Sequence, residues 1–369
     1  MTDLDLVRER LREFAEREAA GVSPLYEHLA SRAADDPDVA ALLTAAPREF
    51  AYPELLLAAV HRVVQAEPFH RLSDYYPSLG GTHGVDSGTW PLVREFVLER
   101  ADRVRALVAA RSTQTNEVRR AAQLFPAVAA AAKRAGGKIG LLEVGASAGL
   151  LLGLDRYSYR YQTQAAGQLV AGPAKAALGL HCALELAPGA ELPKLPKKVD
   201  VGARVALDRM PADLTDEDSY AWLEACVWAD QPERLRLFGV AATVQRKDPP
   251  VFVEGDAVDD LGAAAELVPA DLPLVVITSS VLPYLPGPRQ AEFVAALAAL
   301  AAGRPLWWVS NEVYGDALEH VLPGRDDLVP GPGEQRAGVL GLTTWEGGEA
   351  RATALARTAV HGQRLTWLV

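Results

Sequence analysis

The stretch from Leu141 to Asp155 constrains the fold of this chain more than any other part of the sequence. A short apolar run leads into a turn of small residues, Gly145 to Gly149, and a second apolar run follows. This pattern predicts a buried parallel strand that enters a helix through a tight loop. Glycine allows the backbone to approach other groups closely, and such a loop in an α/β sheet is a common ligand site.

The sequence of this loop allows three functional interpretations: a dinucleotide site, a catalytic serine turn and a cofactor loop. The fourth possibility is a tight turn that binds no ligand. A dinucleotide site requires G-x-G-x-x-G, but Ser147 takes the place of the second glycine and Leu150 that of the third. A nucleophile elbow requires G-x-S-x-G between a strand and a helix, and Gly145 to Gly149 has that spacing. An S-adenosylmethionine (SAM) loop has an acidic residue at the strand end, here Glu143, before a turn of small residues.

The composition is that of a globular protein with an acidic balance. The chain has 369 residues, enough for two domains or for one α/β domain with a large extension. Hydrophobic residues make up 49% and charged residues 23%, so there is ample apolar material for a core. The formal net charge of −11 weighs against nonspecific binding of nucleic acid, which needs a surplus of lysine and arginine.

Neither a membrane segment nor a metal site is predicted. No apolar run reaches the length of a transmembrane helix, and the amino terminus opens with charged residues instead of a secretory signal. The seven histidines contain no H-E-x-x-H motif, and Cys182 and Cys226 fit no zinc spacing. We therefore expect a cytoplasmic protein with reduced cysteines, no bound metal and no membrane partner.

Helix signals dominate the first part of the chain and α/β signals the second. Apolar residues recur at helical spacing near the amino terminus, and Pro53 stands where a first helical turn accepts proline. We predict a helical amino-terminal domain or lid over residues 1–136. An α/β domain is predicted over residues 137–369, and its stretch at about 162–203, rich in glycine, proline and lysine, is predicted to be an insertion.

Five apolar strands in succession end in polar residues. These residues are Glu143, Asp208, Asp256, Ser279 and Asn311. Because the carboxyl ends of parallel strands share one edge of an open sheet, where ligands bind, these side chains are candidate site residues. The last two strands, 338–344 and 363–369, are predicted to pair antiparallel at the edge of the sheet. The predicted fold class is therefore α/β, with a Rossmann-like, mostly parallel sheet and an antiparallel edge strand.

The polar strand ends also indicate which ligand the sheet edge suits. Asp208 follows the second strand of the predicted sheet, where a carboxylate can accept hydrogen bonds from both ribose hydroxyls. An acidic edge attracts a cationic sulfonium group and repels a pyrophosphate, and glycine-rich phosphate cradles are nearly absent from the sequence. The residues thus favour SAM over a dinucleotide.

The motifs resemble those of class I SAM-dependent methyltransferases. The resemblance rests on Glu143-x-Gly145-x-x-x-Gly149, Asp208, Gly255-Asp256-Ala257 and the closing strand pair. The chain as a whole resembles an actinobacterial family described only as a domain of unknown function. The stretches that carry this second resemblance are Arg111 to Val118, Glu143 to Leu150 and Trp228 to Arg234.

The resemblance implies a methyltransferase-like fold with SAM as cofactor. The residues that would surround the methionine end of SAM are Glu143, Gly145, Ser147 and Gly149. Asp208 would hold the ribose, and Asp256 with Ala257 would lie beside the adenine. We expect the acceptor to be a small molecule bound between the helical domain and the sheet edge.

Methyl transfer needs an aligned nucleophile and, where necessary, a group that removes its proton. The candidate residues for this polar work are Asn116, Glu117, Ser279, Tyr284 and Asn311. Structural roles compete with the catalytic ones. Asn116 can cap a helix, Ser279 and Asn311 can form hydrogen bonds at strand ends, and Tyr284 can pack in its loop.

Two alternatives stand beside methyl transfer. A serine hydrolase would use Ser147 in the G-x-S-x-G turn, followed in chain order by an aspartate and His361. The aspartates in question are Asp208, Asp256 and Asp271. A hydrolase elbow normally follows several strands, whereas Ser147 follows the first, and Glu143 has no role in hydrolase chemistry. A noncatalytic SAM-binding protein on the same scaffold predicts binding without turnover.

Overall fold

The computed structural model describes residues 2–331 and 338–369, and the contacts divide the chain into two units. One, which we call the helical unit, comprises the residues up to Asn116 together with Asp213–Phe238. The other, the sheet unit, comprises Glu117–Ala212 and Gly239–Val369. This division differs from the predicted boundary at residue 136 because the helix Arg120–Arg134 packs on strands of the sheet unit.

The α-helices are α1 Asp3–Phe14, α2 Pro24–Asp35, α3 Pro37–Ala40, α4 Pro53–Gln65, α5 Thr89–Glu99, α6 Ala101–Ala110, α7 Arg120–Arg134, α8 Glu217–Cys226, α9 Pro232–Lys247, α10 Leu261–Glu266 and α11 Gly287–Gly303. The strands are β1 Ile139–Val144, β2 Ser158–Thr163, β3 Gly167–Ala171, β4 Gly179–Leu186, β5 Val201–Asp208, β6 Val251–Glu254, β7 Leu274–Ser279, β8 Leu306–Glu312, β9 Gly338–Glu346, β10 Glu349–Thr358 and β11 Arg364–Trp367. Within the described ranges, no helix has the length and apolar character that a membrane crossing requires.

Proline sets the start of several helices in the helical unit. Pro24, Pro37 and Pro53 occupy first-turn positions of α2, α3 and α4, where the missing amide proton costs nothing. The sequence pattern predicted the helix start at Pro53. The buried faces of these helices form one hydrophobic cluster, to which Trp222 and Trp228 of the later segment also belong.

The stretch Trp228 to Arg234, singled out in the sequence, has a structural role within the helical unit. The Asp230 carboxylate accepts a hydrogen bond from Ser23 Oγ at 2.6 Å and another from the Leu25 amide at 3.1 Å. Because Ser23 is the cap residue of α2, these bonds fix the start of that helix.

His61 of α4 is fully buried in the helical unit as a neutral imidazole. Its Nδ1 donates to the carbonyl of Ala225 at 3.0 Å, and its Nε2 accepts from Ser78 Oγ at 2.8 Å. Burial lowers the pKa of His61 from 6.5 to about 4.

This buried histidine predicts that acid destabilises the helical unit. As the pH falls from 6.5 towards about 4, the unfolded chain binds a proton that the folded His61 does not accept, so the free energy of unfolding decreases. A shift of this size corresponds to about 3 kcal/mol. Urea unfolding at pH 7 and pH 4.5 should show that acidification changes the stability of the wild type less favourably than that of His61→Gln, by about this amount. Parallel losses in both proteins would contradict the prediction.

The strands of the sheet unit form one 11-stranded sheet in the order β3-β2-β4-β11-β10-β9-β8-β7-β1-β5-β6. The run β6-β5-β1-β7-β8 is parallel throughout. β9 pairs antiparallel with β8 and with β10, and β3 is an antiparallel edge strand. The fold is therefore α/β with a large, mostly parallel mixed sheet. The apolar cores of β1, β7 and β8 lie where the sequence pattern predicted strands.

Residues 162–203, which the sequence suggested as an insertion, extend the sheet. They contain β3 and β4 and the first residues of β5. Side chains of β4 alternate between exposed and buried, so the stretch lacks the continuous apolar run by which the other strands were recognised.

The prediction that the last two strands pair with each other at the sheet edge was wrong. β10 lies between β9 and β11, and β11 pairs in parallel with β4, so all three strands are interior. The sequence of β10 mixes alanines with charged residues and so hides the strand. Gly347 and Gly348, with φ of 60° and 85°, form the tight turn that joins β9 to β10.

The α-helix predicted after the β1 loop is a 3₁₀-helix, Leu150–Arg156. Tyr157 Oη donates to the carbonyl of Leu150 at 2.7 Å, and Tyr159 Oη donates to the carbonyl of Leu154. These hydroxyls bind carbonyls that an α-helix would satisfy with its own amides. The β1 loop therefore does not open onto an α-helical amino terminus.

Helix α7 is buried on almost all sides and forms part of the core of the sheet unit. It packs against β4, β7, β8 and β9, and Tyr161 Oη of β2 donates to the carbonyl of Ala122 at 2.7 Å. Its many alanines allow the strands to approach closely, and a helix that is apolar all round is expected to be buried. Two polar side chains near its start, Arg120 and Gln123, are buried with it.

Candidate functional site

The loop after β1 needs glycine at both of its ends. Gly145 and Gly149 have φ of +73° and +67°, in the left-handed region that favours glycine. A Cβ at Gly145 would lie 2.4 Å from Cγ2 of Val281, and one at Gly149 would lie 2.9 Å from Nε2 of Gln245. The close approach predicted from the small residues is therefore present, and the group approached at Gly145 is the loop after β7.

The amides of this loop point into the protein. Gly145 and Ala146 donate to the carbonyl of Leu207 at 2.8 and 3.2 Å. The Ser147 amide donates to Oδ2 of Asp208 at 2.7 Å. Because these three amides already bind β5, they form no cradle for a phosphate, which agrees with the weak dinucleotide motif.

Asp208 fastens the loop and ends β5 next to β1. Its Oδ2 accepts from Ser147, and its Oδ1 accepts from the amide of Met210 at 2.8 Å. A carboxylate oxygen has two acceptor sites, so these bonds leave the half-buried Asp208 able to accept further hydrogen bonds.

Glu143, the candidate residue at the end of β1, is buried. It is 3% exposed, and burial raises the pKa of its carboxyl well above the usual range, with repulsion from Asp208 acting in the same direction. Burial thus disfavours the charged form of the Glu143 carboxyl.

Asp256 and Ala257 follow β6. Asp256 accepts from the Val258 amide at 2.9 Å and from Arg289 Nη2 at 2.7 Å. Burial opposes ionisation, but the amides of Val258 and Asp259 together with Arg289 lower the pKa of Asp256 below its usual value. Ala257 is 7% exposed and belongs to the apolar core of the sheet unit.

Asn311 lies in a buried network that joins β8, β10 and α7. Its Nδ2 donates to Oε1 of Gln123 at 3.1 Å, and its Oδ1 accepts from Thr358 Oγ1 at 2.7 Å. Gln123 Nε2 donates to the carbonyls of Ala359 and Arg364 at 2.7 and 3.0 Å. Both ends of the Asn311 amide are thus held, as the competing structural role at a strand end predicted.

The other catalytic candidates lie in different surroundings. Ser279 ends β7, and its carbonyl accepts from Arg120 Nη1 at 3.4 Å. Tyr284 belongs to the 3₁₀ turn Leu282–Tyr284, and its side chain is 68% exposed, outside the buried network. Asn116 is in the helical unit and Glu117 is in the sheet unit.

Glu117 and His361 are brought together, although the sequence suggested them for different reactions. Glu117 Oε2 lies 3.8 Å from His361 Nδ1, and the Glu117 side chain is 1% exposed whereas that of His361 is 24% exposed. Arg120 Nε donates to the carbonyl of Val360 at 3.1 Å, which ties the neighbour of His361 to the start of α7. Within residues 2–331 and 338–369, no group of three or more histidine, cysteine, aspartate or glutamate side chains is arranged to hold a metal ion.

Glu312 is a site residue that the sequence-based selection missed. It is 2% exposed, and both carboxyl oxygens accept from the Val281 amide, at 3.1 and 3.2 Å. Burial raises the pKa of Glu312 to about 8, although Arg120 acts in the opposite direction. Val281 also packs on Gly145. Glu312 therefore stabilises the position of the β1 loop indirectly, through its hydrogen bonds to the Val281 amide. The sequence feature that could have identified Glu312 is its position next to Asn311 at the end of β8.

The protonated state of Glu312 predicts that the sheet unit loses stability as the pH rises. Between pH 4.5 and about 8 the folded protein keeps a proton that the unfolded chain releases, so the free energy of unfolding falls with rising pH. The loss is on the order of 4 kcal/mol over this range. Urea unfolding at pH 5, 6.5 and 8 should show that rising pH changes the stability of the wild type less favourably than that of Glu312→Gln, which is neutral at every pH, by about this amount. Equal slopes in both proteins would refute this assignment.

Comparison with known proteins identifies the family of this chain, but the description of that family names no activity. No curated protein and no solved structure matches the chain. A family profile described as "Uncharacterized protein conserved in bacteria (DUF2332)" matches residues 8–367. Since this match covers nearly the whole sequence, the chain belongs to the DUF2332 family of bacterial proteins.

Proposed function

We propose that this protein binds SAM at the carboxyl edge of β1 and β5 and transfers its methyl group to a small-molecule acceptor. The observation that carries the proposal is the position of the β1 loop. It lies where the order of parallel strands reverses, with β5 and β6 on one side and β7 and β8 on the other. Ligands of open α/β sheets bind at such a switch point. The resemblance to class I methyltransferases, and to an actinobacterial family, is a prediction from the motifs.

The residues around the loop fit the adenosyl and sulfonium parts of SAM better than a pyrophosphate. Asp208 has the capacity to accept hydrogen bonds from ribose hydroxyls, and its charge favours a cation nearby. Glu143, whose buried carboxyl has a raised pKa, would act as a hydrogen-bonding group near the methionine end. Asp256 and Ala257, further along the same edge, would lie towards the adenine.

SAM would supply an electrophilic methyl group, and the protein would bind and align the acceptor. The net charge of −11 favours a small molecule over nucleic acid as that acceptor. Of the catalytic candidates in the sheet unit, Glu117 has the surroundings most suited to a role in proton transfer, because its buried carboxyl faces a partly exposed histidine. Ser279, Tyr284 and Asn311 are weaker candidates on these grounds.

Transfer of a labelled methyl group tests the proposed reaction. The purified protein is incubated with SAM carrying a tritiated methyl group and a deproteinised bacterial small-molecule extract. We expect label in a new low-mass product, lost in Asp208→Ala and retained in the exposed control Asp271→Asn. SAM binding without any labelled product would favour the noncatalytic alternative instead.

A serine hydrolase is the second candidate, because Ser147 has a φ of +50°. A strained serine in a G-x-S-x-G turn is typical of a nucleophile elbow. The 3₁₀-helix after the loop and the use of Asp208 to hold the Ser147 amide both weigh against this candidate. Labelling of Ser147 by a fluorophosphonate would favour it, and no labelling is expected from a methyltransferase.

A further inference from the structure

We infer that Glu312 is a positioning residue for the ligand site at the β1 loop, because it holds a strained turn against which that loop packs. The turn consists of Ser280 and Val281, directly after β7. This inference rests on the proposed function, and it adds to it a residue that acts on the ligand through two loops and not by direct contact.

The backbone of Ser280 is strained. Its φ of +57° lies in the left-handed region, which a residue with a side chain adopts only at a cost. Among the residues that the structure describes, only one other residue besides the glycines has such a φ, and it is Ser147 in the β1 loop. The Ser280 side chain is exposed, so its burial does not explain the conformation. Strained residues persist where their surroundings hold them, and they cluster at ligand-binding elements.

The last two residues of β8 hold this turn. The Ser280 amide donates to the carbonyl of Asn311 at 3.2 Å. The next amide, that of Val281, donates to both carboxyl oxygens of Glu312, at 3.1 and 3.2 Å. Because the Glu312 carboxyl is buried, its removal would leave the Val281 amide without this partner, and that loss is costly.

The segment that follows the turn is fixed separately by α11. The buried Gln290 donates through Nε2 to the carbonyls of Leu282 and Leu285, at 3.0 and 3.2 Å. The residues before the turn are fixed by the pairing of β7 with β1 and β8. Ser280 and Val281 lie between these fixed parts, so they are the residues that relax when the hydrogen bond from β8 is lost.

Val281 transmits its position to the β1 loop by direct packing. A Cβ at Gly145 would lie 2.4 Å from Cγ2 and 2.7 Å from Cβ of Val281, so this side chain lies against the backbone of the loop. When the φ of Ser280 relaxes, Val281 moves and the β1 loop loses the surface that fixes Gly145. The site is then competent in only a fraction of the molecules, and the apparent dissociation constant rises by the inverse of that fraction.

Glycine at position 280 separates this role of Glu312 from a general effect on stability. Glycine adopts a positive φ without strain, so the turn keeps its conformation even when the Glu312 carboxyl is absent. In calorimetric titrations where all variants are folded, we expect Glu312→Ala to bind S-adenosylhomocysteine about tenfold more weakly than the wild type. Adding Ser280→Gly to the same chain should restore the affinity to within about threefold of the wild type.

Glu312→Gln is the conservative variant. Its amide oxygen can still accept from Val281, and it is neutral, as the buried carboxyl is at pH 7 because burial raises the pKa of Glu312 to about 8. We therefore expect Glu312→Gln to bind S-adenosylhomocysteine as the wild type does at pH 7.

Substitutions at the exposed Ser280 test the same point in a chain that keeps Glu312. Asparagine tolerates the left-handed region, whereas the branched Cβ of valine does not. We expect Ser280→Asn and Ser280→Gly to bind like the wild type and Ser280→Val to bind about tenfold more weakly. The matched control is Ala174→Val, at an exposed residue of the sheet unit without a positive φ, and it should leave the affinity unchanged.

Hydrogen exchange followed by mass spectrometry, without ligand, shows whether the two loops move together. We expect faster exchange of residues 280–285 and 145–149 in Glu312→Ala, and a return to the wild-type rate when Ser280→Gly is added. A change confined to 280–285, no rescue by glycine, or weaker binding by Ser280→Gly alone would overturn the role of Glu312. Absence of binding by the folded wild type, with the exchange as expected, would instead count against the proposed function.

Discussion

Alanine at position 362 is expected to lower the free energy of unfolding of the sheet unit by about 2–5 kcal/mol. Gly362 has a φ of +79°, which an L-residue adopts only at a cost. Its added Cβ would also lie 2.4 Å from the Arg119 carbonyl carbon and 2.6 Å from the Arg120 amide nitrogen. These are backbone atoms at the start of the buried helix α7, so they cannot move aside as a flexible side chain would.

The matched control is Gly189→Ala. Gly189 has a similar φ of +82°, but a Cβ there would meet nothing within 4 Å, so the variant reports backbone strain alone. Urea unfolding of both variants, followed by circular dichroism, separates the two contributions. We expect the Gly362 variant to be clearly the less stable. Equal effects would mean that the segment after β10 is not packed on α7 as described.

Alanine at position 145 is expected to weaken the binding of S-adenosylhomocysteine by roughly 10–100-fold, or about 1.4–2.8 kcal/mol. The φ of +73° at Gly145 disfavours any side chain, and the added Cβ would lie 2.4 Å from a methyl group of Val281. Val281 is β-branched, and its amide is held by the buried Glu312, so the β1 loop is the part that must shift.

Gly172→Ala is the control for a general loss of stability. Gly172 has nearly the same φ, +72°, and its Cβ would lie 2.1 Å from the carbonyl oxygen of Tyr157, beside β2 and the edge strand β3. Isothermal titration at a temperature where both variants are folded should show reduced affinity in the Gly145 variant only. An equal loss in both would show that the ligand is not bound by the β1 loop.

The sequence predicted those parts of the fold that depend on continuous apolar runs. β1, β7 and β8 are buried on both faces, and their continuous apolar runs predicted them. β4 and β10 were missed because exposed positions carry polar, charged or small residues, which interrupts the apolar run. α7 was grouped with the preceding helices because its sequence shows that it is a helix but not which strands cover it.

For the candidate site, the sequence predicted where in the fold the residues lie better than it predicted the pKa values of their side chains. The polar residues at strand ends included Glu143 and Asp208, but the raised pKa of Glu143 follows from its burial, which no local pattern reveals. The same holds for Glu312. The contact between Glu117 and His361 depends on the order of strands in the sheet, because the two residues are remote in the chain.

Calorimetric titration of the wild-type protein with SAM and S-adenosylhomocysteine tests the central claim, a SAM site at the β1 loop, most directly. The same titrations with Asp208→Asn, and with ATP and NAD as ligands, establish the position and specificity of the site. We predict saturable binding of both adenosyl ligands in the roughly micromolar range, about −8 kcal/mol, weakened in Asp208→Asn, and no binding of ATP or NAD. No heat from either adenosyl ligand in the folded wild type would contradict the account.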